Sequence, residues 1–247
     1  MRVIFLGTNG WYDTETGNTT CTLVETRDYS VILDAGSGLY KLDRYIDWQK
    51  PGFLFLSHFH LDHIIGLHTL IKFNFKSGLK IYGQKGTKKI LNQVINQPFT
   101  VALNELPFKV EVQEIAEGKY LLPFLVKAKF LIHSSACLGY RFEIDKKKIA
   151  YCTDTGICKN LKELAKDVDL LISECSLKSG QIKPEWPHLN PEIAAEIAKK
   201  SNVQKLILTH FDPDIYRSLK ERKEVEKIAR TIFKNTTAAI DGLEIKL

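Results

Sequence analysis

The sequence has no apolar run that reaches the roughly 18 residues a membrane-spanning helix requires, so no membrane segment is expected. It also has no Cys-x-x-Cys spacing. Its five cysteines, Cys21, Cys137, Cys152, Cys158 and Cys175, are odd in number, which argues against a disulfide framework or a zinc ribbon and predicts buried thiols. No low-complexity linker interrupts the chain, so residues 1–247 are expected to form one compact unit. The opening Met1-Arg2-Val3-Ile4-Phe5 leads into a strand and lacks the regions of a signal peptide, which points to a soluble, cytoplasmic protein. The net charge of +6 is spread over small groups such as Lys146-Lys147-Lys148, Lys199-Lys200 and Arg222-Lys223. That pattern suits a phosphate-bearing substrate, but it also suits an ordinary solvated surface. At 44% hydrophobic residues the chain has ample material for a core.

What the sequence does contain is a dense cluster. In Phe53-Leu54-Phe55-Leu56-Ser57-His58-Phe59-His60-Leu61-Asp62-His63 an apolar run, read as a short buried strand, ends in three histidines and a carboxylate. His58 and His60, two apart on extended backbone, project to one side. Asp62 and His63 open the helical segment that follows. One histidine beside a strand is an ordinary core or surface residue, but three with an aspartate would be costly to bury without partners. Imidazole nitrogen and carboxylate oxygen are donors that zinc accepts. Split between a strand end and a helix start, the four suit two adjacent ions better than one.

The same arrangement recurs along the chain. Strands are predicted at 3–6, 19–26, 31–33, 79–82, 109–113, 126–132, 139–144, 148–152, 169–173, 205–209 and 243–245. Lys109 to Gln113 alternates as a half-exposed strand should. Helices are predicted at 87–96, 160–166 and 219–233, with another capped by Asn190 and carrying Pro191 at its first position. A helix is also expected after Asp34-Ala35-Gly36-Ser37-Gly38, where two glycines let the backbone pass close to a site and Asp34 can hold a ligand histidine from behind. Ligand-type residues stand where strands stop: His133, Asp154, Glu174 and His210. Of the seven histidines only His68, one turn into a helix, looks incidental.

The motif His58-x-His60-x-Asp62-His63 resembles the signature of the metallo-β-lactamase superfamily of binuclear metallohydrolases. The resemblance implies a four-layer αβ/βα sandwich. It also implies two divalent ions, zinc first with manganese or iron in its place: one held by His58, His60 and His133, the other by Asp62, His63 and His210, with Asp154 bridging. The segments Phe5-Leu6-Gly7-Thr8, Gly139-Tyr140-Arg141, Tyr151-Cys152-Thr153-Asp154-Thr155, His188 before Ala194-Ala195-Glu196-Ile197-Ala198, and Leu208-Thr209-His210-Phe211 are similar to ribonuclease Z and its phosphodiesterase relatives. That branch implies that His188 lies beside the scissile phosphate, that Glu174 orients it, and that Tyr216 helps line the pocket. A homodimer is implied in the same way.

The expected activity is therefore hydrolysis of a small or cyclic phosphodiester, such as a nucleotide, by a hydroxide shared between the ions, with Asp62, Glu174 and His188 as the further catalytic residues. Maturation of tRNA 3′ ends is disfavoured. The tRNA-processing enzymes carry a Gly/Pro-rich arm between the positions matching His133 and Asp154, and here that interval holds only a hairpin. No arginine stands directly before Tyr216 either. A thioester or lactam hydrolase uses the same ions, and a metal-loaded sensor without turnover is a third alternative. The intact ligand set argues against the sensor.

Overall fold

The computed structural model describes residues 1–247. Strands β1 (Arg2–Gly7), β2 (Cys21–Glu25), β3 (Ser30–Leu33), β4 (Gly52–Phe55), β5 (Leu79–Gly83) and β6 (Val110–Glu114) lie side by side in chain order. The last strand, β14 (Glu244–Lys246), joins the outer edge of β1 and completes the first sheet. The first two pairings are antiparallel, and those from β3 to β6 are parallel.

The second sheet contains β7 (Gly118–Leu121), β8 (Leu125–Leu131), β9 (Cys137–Ile144), β10 (Lys147–Cys152), β11 (Leu170–Glu174), β12 (Leu206–Thr209) and β13 (Thr236–Ala238). It is antiparallel up to β10 and parallel beyond.

Strand periodicity divides the side chains among three cores. In β4, Phe53 and Phe55 enter the layer between the sheets, where they meet Tyr140, Phe142 and Ile172, while Leu54 points outward with Ile4, Ile32 and Ile81. Outside the first sheet lie two 3₁₀ segments, Ser37–Arg44 and Ile65–Lys72, and helix α2 (Thr87–Val94), which cover it with Leu39, Leu67 and Leu91. Outside the second lie α3 (Lys159–Ala165), α4 (Pro191–Lys200) and α5 (Leu219–Ile232), whose Leu161, Ala194 and Val225 pack on Leu171 and Leu208. The result is the expected four-layer αβ/βα sandwich. No helix is long and apolar enough to cross a membrane.

Several local expectations are corrected. β6 shows no alternating burial, because it forms the edge of its sheet and its side chains are half-buried or exposed throughout. β7 and β13 were not predicted at all. The segment after the histidine motif is α-helical only over Leu61–Ile64 (α1) before it tightens to 3₁₀. The cap on α4 is as expected, with Asn190 Oδ1 accepting from the Ile193 amide at 2.9 Å. All five cysteines are free, and four are buried.

Candidate metal centre

Strands β3, β4, β8, β10, β11 and β12 all finish at one edge of the sandwich, so the residues just past their ends share one space. His58, His60, His133 and Asp154 bring donor atoms within 4.8 Å of one another, and so do Asp62, His63 and His210. Asp154 joins the two groups. Its Oδ2 lies 3.7 Å from His58 Nε2 and 3.5 Å from His133 Nε2, while its Oδ1 lies 3.3 Å from His63 Nε2 and 3.1 Å from His210 Nε2. Asp62 Oδ2 closes the second group at 3.4 Å from His63 and 3.2 Å from His210. The seven residues that the motif resemblance implied are therefore brought together. His68 is exposed and turned back to its own helix, away from them.

A layer of fixed partners orients these rings. His63 Nδ1–H donates to Asp34 Oδ2 at 2.7 Å, and the same carboxylate accepts from the Ser57 amide, the Ser57 hydroxyl and the Tyr151 hydroxyl at 2.7 to 2.8 Å. His210 Nδ1–H donates at 3.1 Å to Ser176 Oγ, whose own hydroxyl donates to the His210 carbonyl. With both Nδ1 atoms so engaged, both Nε2 lone pairs face the centre. The Trp11 amide donates to Asp62 Oδ2 at 2.8 Å. Backbone shape contributes as well: Asp34, Asp154 and His210 have φ of 54°, 52° and 54°, a left-handed turn straight off each strand. Gly36 passes so close to the Asp62 carbonyl that an added Cβ would lie 2.2 Å from it, which is the close approach the two glycines suggested.

The two groups differ electrically. Burial, aided by neighbouring imidazoles, holds His58 and His60 below the usual histidine range and takes His133 down to about 4. In the other group burial is outweighed by Asp154 and nearby carboxylates, and His63 and His210 are pushed up. Asp62 and Asp154, although buried, are held well below the usual carboxylate range by His63 and His210.

This donor set fits two cations. His58 Nε2 and Asp154 Oδ1 are buried without any hydrogen-bond partner. Asp154 Oδ1 has two imidazole nitrogens near it yet makes a hydrogen bond to neither. Orphans of this kind cost about 1–3 kcal/mol each. Nitrogen and oxygen donors converging at this spacing are the chemistry a divalent metal relieves.

Beside the centre, His188 Nδ1–H donates to both oxygens of Glu174 at 2.8 Å, and Glu174 Oε2 also accepts from the Leu189 amide. Burial opposes a charge on His188, but Glu174 overrides it and raises its pKa to about 9. His188 shares its neighbourhood with Asp154 and His210. A cavity of about 670 Å³ opens over these groups, lined also by Gly10, Trp11, Tyr12, Trp186 and Asp212. Tyr216 is absent from that lining. It is buried in the outer core, its hydroxyl donating to the Leu177 carbonyl at 2.6 Å, which corrects the expectation that it lines the pocket.

The supporting roles of Ser57, Tyr151, Ser176 and Trp11 were not anticipated. Only Ser57, adjoining the motif, carried a positional hint.

A two-sheet sandwich with clustered His and Asp side chains at its edge defines a metal-dependent hydrolase. The chain belongs to the beta-lactamase superfamily, whose domain model matches residues 29–211. It is 29% identical over 219 residues to a probable metallo-hydrolase, YhfI, of Bacillus subtilis, covering 85% of this chain and 86% of that protein. It is 26% identical to ribonuclease Z of Bacillus licheniformis, with 99% and 98% covered. The crystal structure of YhfI superposes with a TM-score of 0.82 at 24% identity, covering 99% of this chain and 98% of that one.

Proposed function

We propose that the chain is a binuclear phosphodiesterase acting on a small or cyclic phosphodiester, with residues 1–247 as one hydrolase unit in the cytoplasm. In this reading His58, His60 and His133 would hold one ion and Asp62, His63 and His210 the other, with Asp154 shared between them. Zinc suits the imidazole-rich donor set. When bound, such a pair lowers the pKa of a shared water and neutralises charge on a phosphoryl group.

The remaining work falls to the chain itself. Asp62, fixed by the Trp11 amide, orients the attacking side. His188, kept charged and aimed by Glu174, has its Nε2 free to bind a phosphoryl oxygen or to give its proton to the departing oxygen. The observation that carries the reading is this His188–Glu174 pair set against Asp154 and His210, since a fixed proton donor beside the ligands suits an alkoxide or aryloxide leaving group.

Maturation of tRNA 3′ ends is the second reading, favoured by relatives named ribonuclease Z. Against it stands the short interval after His133, filled by the β9–β10 hairpin with no room for an arm. The test is the zinc-loaded protein assayed on bis(4-nitrophenyl) phosphate, a nitrophenyl-releasing thioester and a tRNA precursor. Cleavage of the first alone supports the proposal. Turnover of the thioester with the diester intact overturns it.

A further inference from the structure

The chain has three tryptophans. Trp48 packs into the core against Phe73 and Phe75, whereas Trp11 and Trp186 line the cavity above the metal centre and remain 66% and 45% exposed. Trp11 holds this place at a price: its φ is 61°, a conformation bulky residues rarely adopt. It is kept there by the hydrogen bond that its backbone amide donates to Asp62 Oδ2. Trp186 extends a series of rings leading out of the centre. It lies 5.7 Å from His188, whose ring is 6.0 Å from that of His210 and within 15° of parallel to it. No lysine or arginine lines the cavity, and Asp212 adds a carboxylate to its lining.

We propose that Trp11 and Trp186 form a subsite for one uncharged, planar aromatic group carried by the phosphodiester. Exposed indole faces next to a reaction centre supply apolar area and stacking to a flat group. With no lysine or arginine in the lining, and with His188 facing the reaction centre beside Asp154 and His210, the cavity has nothing left to pair with a second anionic group, so the ester phosphate is the one negative charge the site is built to hold. The phosphate half of the proposal rests on the phosphodiesterase reading. The aromatic half rests on the two tryptophans.

The zinc-loaded full chain is titrated by calorimetry with diphenyl phosphate, diethyl phosphate and bis(4-carboxyphenyl) phosphate. Diphenyl phosphate is expected to bind about tenfold tighter than the diethyl ester, and Trp11→Ala and Trp186→Ala should each reduce that preference about threefold to tenfold. Trp186→Phe should keep most of it. Zinc content is expected to hold in all variants, because Trp11 reaches Asp62 through its backbone. Equal affinity for the phenyl and ethyl esters, a preference that survives both alanine variants, or a dicarboxylate that binds as tightly as diphenyl phosphate overturns the subsite. A chain that shows the preference but leaves bis(4-nitrophenyl) phosphate intact retains the subsite and sinks the phosphodiesterase reading. Cleavage of that ester without a tryptophan-dependent preference does the reverse.

Discussion

Arg222 stacks its guanidinium on the ring of Phe211, with Cζ 4.7 Å from the ring centre. The side chain is almost fully buried, yet no carboxylate touches it. Its Nη atoms donate instead to Thr8 at 2.8 Å, to Thr16 at 3.0 Å and to Asn9. Helix α5 thereby pins the loop before Trp11 and the residue after His210 to each other. Backbone bonds between Gly10 and Phe211, and between Phe211 and Thr8, complete the joint.

Arg222→Ala should leave several buried oxygens without donors and cost about 3 kcal/mol of stability, read as a lower urea midpoint. Lysine at this position should recover little, because one ammonium cannot serve the spread of acceptors that the planar fork reaches. Full rescue by Arg222→Lys would show that charge alone matters there.

Asp34 acts through His63, so Asp34→Ala is expected to weaken metal binding about 10- to 100-fold, measured by competition with a chromophoric chelator. Unchanged affinity would mean that the His63 ring is held by packing alone.

Asp154→Ala removes the one side chain that faces both histidine groups. Metal content should fall below two ions per chain, and kcat/KM on an aryl phosphodiester should drop by about 10³-fold or more, with the far-ultraviolet circular dichroism spectrum intact. Retention of both ions with near-normal turnover would remove Asp154 from the centre.

His188→Ala should keep its metal and lose about 10²- to 10⁴-fold in kcat. The loss should be smaller for esters with a good leaving group such as 4-nitrophenol, which needs little help from an acid. A uniform loss across leaving groups would assign His188 to substrate binding only.

Burial raises the thiol pKa of Cys21, Cys137, Cys152 and Cys175, and so suppresses the reactive thiolate. Cys158, half-buried at the cap of α3, accepts from the Leu161 amide. Ellman's reagent at pH 8 is expected to titrate about one thiol in the native protein and all five in guanidinium chloride. Rapid reaction of several thiols in the native state would contradict the buried placement.

How much of this was legible in the sequence depended on whether a residue's role was local. His58, His133 and His210 announced themselves because an apolar strand leaves no ordinary reason for an imidazole at its exit, and Asn190-Pro191 declared a helix start through its own cap chemistry. β7 stayed hidden because Gly118–Leu121 is mostly exposed at a sheet edge and shows no burial period. β13 is only three residues long, and its place is set by pairing with β12. Ser176, Tyr151 and Arg222 are ordinary residue types whose partners lie far away in sequence, so only tertiary structure reveals them. The same holds for Trp11, where nothing local forecasts a left-handed turn.

The left-handed backbone at Asp34, Asp154 and His210 sets endurance against activity. Glycine would relax each position by up to about 1 kcal/mol while deleting the side chain the centre depends on. Selection for heat tolerance alone should therefore favour glycine at Asp154, whose Oδ1 has no hydrogen-bond partner, and not at Asp34, whose carboxylate satisfies four buried donors, yielding sturdier proteins that no longer hydrolyse anything.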